Sequence, residues 1–261
     1  MVKTTFNIPY GEEPEQKVDV YFPSVAVRGA VIDIHGGGWF RGDKLKDADL
    51  GELFAEQGYL TFVANYRIGD RGHYPRPLED MDRLYEWLMT SEFSFPREHL
   101  LVFGSSVGGN MSVEMAIKYG VPAVSLSGII DMADWIAAHP DVHGSLDHKD
   151  NFGSPSAAIN QDGADDPFYK GFVMNYFGGR SDQLAAASPA PRVTAQTGPM
   201  YIANSLNEFV PNSGVLALAN ALTAKEVPFT MRLVPGTHHA KGYWSVVATD
   251  VLNFMAANTA D

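Results

Sequence analysis

Along most of its length the chain alternates short apolar runs with stretches of helical periodicity. Val18–Phe22 alternates as an edge strand does, and Gly29–Ile34 is a continuous apolar run that ends in a glycine cluster, as a buried strand would. Ala48–Gln57 reads as a helix and Leu60–Asn65 as the next strand. Leu78, Met81, Leu84, Tyr85 and Leu88 then fall on one helical face, with Pro77 suited to the first turn. Leu100–Phe103 is a short strand followed by Gly-Ser-Ser-Val-Gly-Gly and a helix to about Lys118, and Ala123–Leu126 is another strand. Strand Met200–Ala203, helix Asn212–Lys225, strand Phe229–Val234 and a final helix complete the series. Trp244, Val247, Val251 and Phe254 form the apolar stripe of that last helix. Alternation of this kind predicts a single α/β domain over residues 1–261, with a mostly parallel sheet and helices on both faces.

The pattern breaks once. From about 139 to 187 the chain is rich in Gly, Asp, Asn, Ser, Pro and aromatics, with only short helical stretches such as Phe168–Tyr176. A stretch that long inside a compact domain predicts a functional lid or cap. Its Phe152, Phe168, Tyr169, Phe172 and Tyr176 either line a pocket for an apolar or aromatic group or anchor the insertion to the core.

Composition narrows the chemistry. The chain has no cysteine, which removes thiolate nucleophiles, disulfides and Cys-based zinc sites. Its formal net charge of −12, with no cluster of Lys and Arg, makes nucleic acid a poor partner. No apolar run reaches the ~20 residues of a membrane span. No signal peptide is visible at the N-terminus, so a cytoplasmic location is expected, unless a leader has been removed.

Chemistry gathers at strand ends, where parallel sheets place their sites. His35-Gly36-Gly37-Gly38-Trp39 follows a strand directly. Its glycines can turn backbone N–H groups towards a ligand, as an oxyanion hole requires, although a plain turn has the same composition. No Walker lysine accompanies it, and the spacing is not that of a dinucleotide fingerprint. Gly104-Ser105-Ser106-Val107-Gly108 is a G-x-S-x-G between a strand and a helix, the context in which that motif presents a nucleophile. Ser106 takes the central position, Ser105 is the competing hydroxyl, and the Val107 N–H can join the oxyanion donors. A nucleophilic serine needs a histidine base, and the order Ser, acid, His puts it near the C-terminus. Of eight histidines only His238 and His239 lie there. His35 suits a structural role in the glycine turn, and His73, His99, His139, His143 and His148 fall in loops. Glu208 is the only acidic side chain between the strand Met200–Ala203 and Pro211. It is the candidate acid or, alternatively, a charge at a helix N-terminus.

Together the motifs H-G-G-G-W, G-S-S-V-G-G-N, S-L-S-G-I-I-D, N-E-F-V-P and P-G-T-H-H-A resemble the esterase/lipase branch of the α/β hydrolases. The likeness is greatest to the hormone-sensitive-lipase-like esterases and the arylformamidase-like group, and it runs from about Val18 to the C-terminus. It implies the α/β-hydrolase fold with a lid or cap, Ser106 as nucleophile, and Gly37, Gly38 and Val107 as oxyanion donors. It also implies His239 as base, because the family's histidine stands four residues past the proline of a Pro-Gly turn, here Pro235. The acid departs from the pattern. The family's D-x-x-V-P would place aspartate at Asn207, so Glu208 must serve instead, with Asp131 in reserve.

The expected activity is hydrolysis of a small carboxylic ester through an acyl-enzyme, with no metal or organic cofactor. Cleavage of an amide or formamide is the alternative within enzymes. A catalytically silent binding protein of the same fold is the alternative outside them.

Overall fold

The computed structural model describes residues 2–147 and 153–260. Among these residues one eight-stranded sheet runs in the order β1 (Lys3–Pro9), β2 (Lys17–Phe22), β4 (Tyr59–Ala64), β3 (Gly29–Ile34), β5 (Leu100–Ser105), β6 (Ala123–Leu126), β7 (Met200–Ser205), β8 (Phe229–Val234). β1 pairs antiparallel with β2, and β2 antiparallel with β4; the pairs from β4 to β8 are parallel. The helices are α1 (Ala48–Glu56), α2 (Arg76–Thr90), α3 (Val107–Tyr119), α4 (Ala133–Ala138), α5 (Asp166–Tyr176), α6 (Leu184–Ala187), α7 (Asn212–Ala224) and α8 (Trp244–Ala257).

Alternation along the central strands sorts side chains between two helical layers. Ala30, Ile32 and Ile34 of β3 and Leu100 and Val102 of β5 enter a cluster with Leu84 and Leu88 of α2 and Met111 and Met115 of α3. Val31, Leu101 and Phe103 enter the opposite cluster, with Leu50 and Phe54 of α1 and Val247, Val251 and Met255 of α8. A third cluster seats α7, through Val215, Leu218 and Leu222, on Met200 and Ile202 of β7. Both faces of the sheet are therefore covered, and its strand ends are left to carry loops. No helix among the described residues is long and apolar enough to cross a membrane.

Three expectations need correction. β2 is not an edge strand, because β1 lies outside it. β1 is almost wholly exposed, so no apolar alternation announces it, and backbone pairing with β2 gives it its place. The buried stripe of α8 is Val247, Val251 and Met255, one residue per turn, with Trp244 and Phe254 half-buried beside it. Third, β5 and β7 each run two residues further than expected, to Ser105 and Ser205.

Between β6 and β7 lie α4, α5 and α6, with short 3-10 turns at Ser156–Ala158 and Ala190–Arg192. α5 is well anchored: Tyr176 stacks on Trp39 at 3.9 Å, and the Tyr169 hydroxyl donates to the Asp131 carbonyl at 2.9 Å. His148 and Phe152 lie outside the described residues.

Candidate active site

β5 ends at Ser105 and α3 begins at Val107, leaving Ser106 alone to turn the chain. It does so at φ 58°, ψ −122°, a region that costs a non-glycine residue of order 1–3 kcal/mol. The turn closes only because its neighbours lack side chains. A Cβ on Gly104 would fall 2.1 Å from the Gly108 carbonyl oxygen, and one on Gly108 would fall 1.9 Å from that of Ile34. The Ser106 N–H donates to the Leu126 carbonyl at 2.7 Å and ties the turn to β6. The side chain of Ser105 is buried and meets no hydrogen-bond partner among the described residues. Its backbone is that of an ordinary strand end, so the strain belongs to Ser106 alone of the two serines.

Beside this turn the glycine cluster folds back on itself. Gly37 and Gly38 have φ of 125° and 64°, and the N–H groups of Phe40 and Arg41 both close onto the Gly37 carbonyl. His35 lies beneath, fully buried, with Nδ1 2.6 Å from the Gly36 carbonyl and its ring stacked on Tyr66 at 4.5 Å. Burial lowers its pKa from the ordinary histidine value, although the hydrogen bond to the Gly36 carbonyl acts the other way. His35 is thus a scaffold for the turn, as its position in the sequence suggested. Gly36, Gly37 and Gly38 line a cavity of about 330 Å³ together with Ser106 and His239. Val107, fully buried, opens α3 immediately after Ser106.

The loops after β7 and β8 bring the remaining two groups together. Glu208 Oε2 lies 2.5 Å from His239 Nδ1, with both side chains buried. Glu208 Oε1 accepts the Ser205 N–H at 2.8 Å and the Ser127 hydroxyl at 2.9 Å. His239 Nε2, also buried, has no hydrogen-bond partner among the described residues and belongs to a residue that lines the cavity. Asn207 is exposed, while Glu208 points inward, so the position favoured by the resemblance is on the wrong side of the loop. Asp131 is elsewhere: its Oδ1 accepts the Trp135 N–H at 3.2 Å at the start of α4. His238 is exposed, with Nδ1 3.0 Å from Gln161 Oε1.

The cavity wall has two characters. Phe168 and Phe172 of α5 and Phe209, whose ring centroid is 4.4 Å from that of His239, form an apolar side. Arg41, Asp43, Lys46, Asp47, Ser156, Asn160 and Lys241 supply the polar side. The two readings of the insertion's aromatics therefore divide. Phe168 and Phe172 line the cavity, whereas Tyr169 and Tyr176 anchor α5.

Residues 18–222 match the BD-FAE family. The chain belongs to that family. Among curated relatives, this BD-FAE chain is 23% identical over 209 residues to Esterase LipC of Mycobacterium tuberculosis, covering 77% of the chain and 50% of that protein. It is 27% identical over 119 residues to a kynurenine formamidase of Danio rerio, covering 43% of the chain and 38% of that protein. It thus spans half the length of these relatives or less. A truncated carbohydrate esterase from gut microbiota superposes with a TM-score of 0.77 at 17% identity, covering 99% of this chain and 97% of that one. At that identity the likeness is one of fold, the α/β-hydrolase fold.

Two features of the BD-FAE chain have little or no signal in the sequence. Ser127, at φ 53° and fully buried, accepts the Ala240 N–H at 2.9 Å and contacts both Glu208 and the Tyr243 hydroxyl. Ser127 lies within the motif S-L-S-G-I-I-D but carries no mark of this role, and Tyr243 lies in no motif. The second feature is an ionic cluster around the buried Lys241. Lys241 Nζ donates to the Lys46 carbonyl at 2.9 Å and to Asp47 and Asp49. It clamps the histidine loop onto the segment before α1. Asp33 of β3, fully buried, faces the same layer. Burial pushes Asp33 well above the usual carboxylate range, and nearby Asp47 adds to this against Lys241. Among the described residues no group of three or more His, Asp or Glu side chains could hold a metal ion.

The Asp33 shift makes stability depend on pH. A carboxyl whose folded pKa is raised favours folding at low pH, and that contribution is lost as pH rises through the folded value. Asp33→Asn should therefore raise the melting temperature relative to the parent protein at about pH 8, and the gain should shrink towards about pH 4. Melting curves of both proteins across that range check the sign.

Proposed function

We propose that this chain hydrolyses small carboxylic esters through an acyl-enzyme formed on Ser106. One observation carries the reading. In the cavity that Ser106 enters from a strained turn, His239 presents an unpartnered Nε2, while Glu208 holds its Nδ1.

His239 Nε2 takes the Ser106 proton as Oγ attacks the ester carbonyl. The positive charge on the imidazolium is balanced by Glu208, which also fixes the tautomer with the proton on Nδ1. Negative charge on the carbonyl oxygen is met in this reading by backbone N–H groups of Gly37, Gly38 and Val107, the fixed kind of donor an oxyanion hole needs. Nε2 then returns the proton to the leaving alcohol, and a water repeats the sequence to release the acid.

Residues 139–187 serve in this reading as a cap whose Phe168 and Phe172 receive the apolar part of the substrate. The likeness to a formamidase makes an N-formyl amide the second reading, because the same groups would attack it. The contact between Glu208 and His239 favours an enzyme over a silent binder.

A panel of p-nitrophenyl esters and N-formyl-kynurenine tests the reaction class. Short esters should be turned over, and Ser106→Ala should lose at least about 10³-fold in kcat while still folding. His239→Ala should be as severe, since triad members act as a unit, and His238→Ala should be far milder. If His238→Ala is instead the more severe, the base has been assigned one residue out of register.

The acid is tested separately. Glu208→Gln keeps the shape of the side chain but removes the charge, and should cost up to ~10⁴ in turnover. Asp131→Asn should stay close to the parent. The opposite ranking in steady-state assays would move the acid to the end of β6.

A further inference from the structure

Gln161 lies 78 residues from the base it touches, in the segment between β6 and β7. Its Oε1 accepts the His239 backbone N–H at 3.0 Å, and its Nε2 donates to the His239 carbonyl at 3.1 Å. The same Oε1 faces His238 Nδ1 at 3.0 Å, and the Thr237 hydroxyl donates to the Gln161 carbonyl at 2.7 Å. The amide lies flat against the next turn, for a Cβ on Gly242 would fall 1.8 Å from Oε1.

The geometry of these bonds matters more than their number. The His239 N–H belongs to the peptide plane before its Cα, and the His239 carbonyl to the plane after it. One side-chain amide therefore holds both planes, and with them the φ of −108° and ψ of 134° that set the direction of the Cα–Cβ bond. Glu208 holds the far end of the same side chain at Nδ1. With the backbone fixed by Gln161 and the ring fixed by Glu208, Nε2 has one place to point.

We propose that Gln161 is a positioning residue for His239, so that the base is aligned only while the segment around residues 159–163 is docked on the histidine loop. This rests on the reading of His239 as the base. It makes the segment between β6 and β7 part of the support of the triad as well as a wall of the cavity. A misplacement of about 1 Å in a catalytic group can cost ~10² in rate, so losing this support should be read in turnover rather than in substrate binding.

The test compares Gln161→Met, which keeps the volume and removes every side-chain hydrogen bond, with Gln161→Glu, which keeps the acceptor for the His239 N–H and loses the donor to its carbonyl. With p-nitrophenyl acetate, Gln161→Met should lower kcat by about tenfold to a hundredfold and leave KM within about threefold, with Gln161→Glu in between. In a His239→Ala background, Gln161→Met should lower the residual rate no further, because there is no imidazole left to align. A role in folding or in binding substrate would lower it again. Unchanged kcat in Gln161→Met, or the same fractional loss in both backgrounds, overturns the proposal. Should Gln161→Met fail to fold, Gln161→Glu decides alone by the same split between kcat and KM. Failure of the underlying reading looks different: the parent protein would not turn over the ester, or Ser106→Ala would match it, and the proposal would fall with it whatever the Gln161 variants do.

Discussion

The site depends on one close approach of backbone to backbone. For Ser106 to stand at the end of β5 with φ 58°, the start of α3 must pass against the end of β3, and Gly108 meets the Ile34 carbonyl where no side chain would fit. That contact brings the glycine cluster after Ile34 alongside the serine, so Ser106 and the glycine turn are placed by the same packing event. The strain at Ser106 persists because β3, β5 and β6 over-determine it, from Gly104, from Gly108 and through the bond to Leu126.

His239 is placed by a different logic. The loop carrying His239 leaves the last strand of the sheet, β8, and is fixed by polar contacts from four directions. Ser205 holds the His238 carbonyl, Ser127 holds the Ala240 N–H, Gln161 holds both backbone groups of His239, and Lys241 reaches the segment before α1. Most of these contacts are buried or half-buried, where an unmade hydrogen bond costs about 1–3 kcal/mol. The loop therefore has few alternatives to the arrangement that sets His239 in the cavity wall.

Much of this was legible in the sequence, for specific reasons. The alternation of β3 and β5, the glycines flanking Ser106 and the position of His239 after a Pro-Gly turn are local patterns, each set by sterics within a few residues. Glu208 was legible only by elimination, because its orientation relative to Asn207 depends on how the loop after β7 packs. β1 was missed because its place comes from pairing and not from burial. Gln161, Ser127 and Tyr243 were missed because the polar contacts that place them span 40 or more residues of chain, and polar side chains in loops are ordinarily solvated. Asp33 carried a faint signal, a charge inside a run that otherwise reads as a buried strand.

The most direct test of the account is the site of attack by an active-site-directed fluorophosphonate. The intact protein is treated with the reagent, digested, and the modified peptide sequenced by tandem mass spectrometry. The account predicts one phosphonyl group, on Ser106, and a much slower modification in the His239→Ala protein. A label on Ser105 or on another residue, or none on a folded and otherwise intact protein, would contradict it.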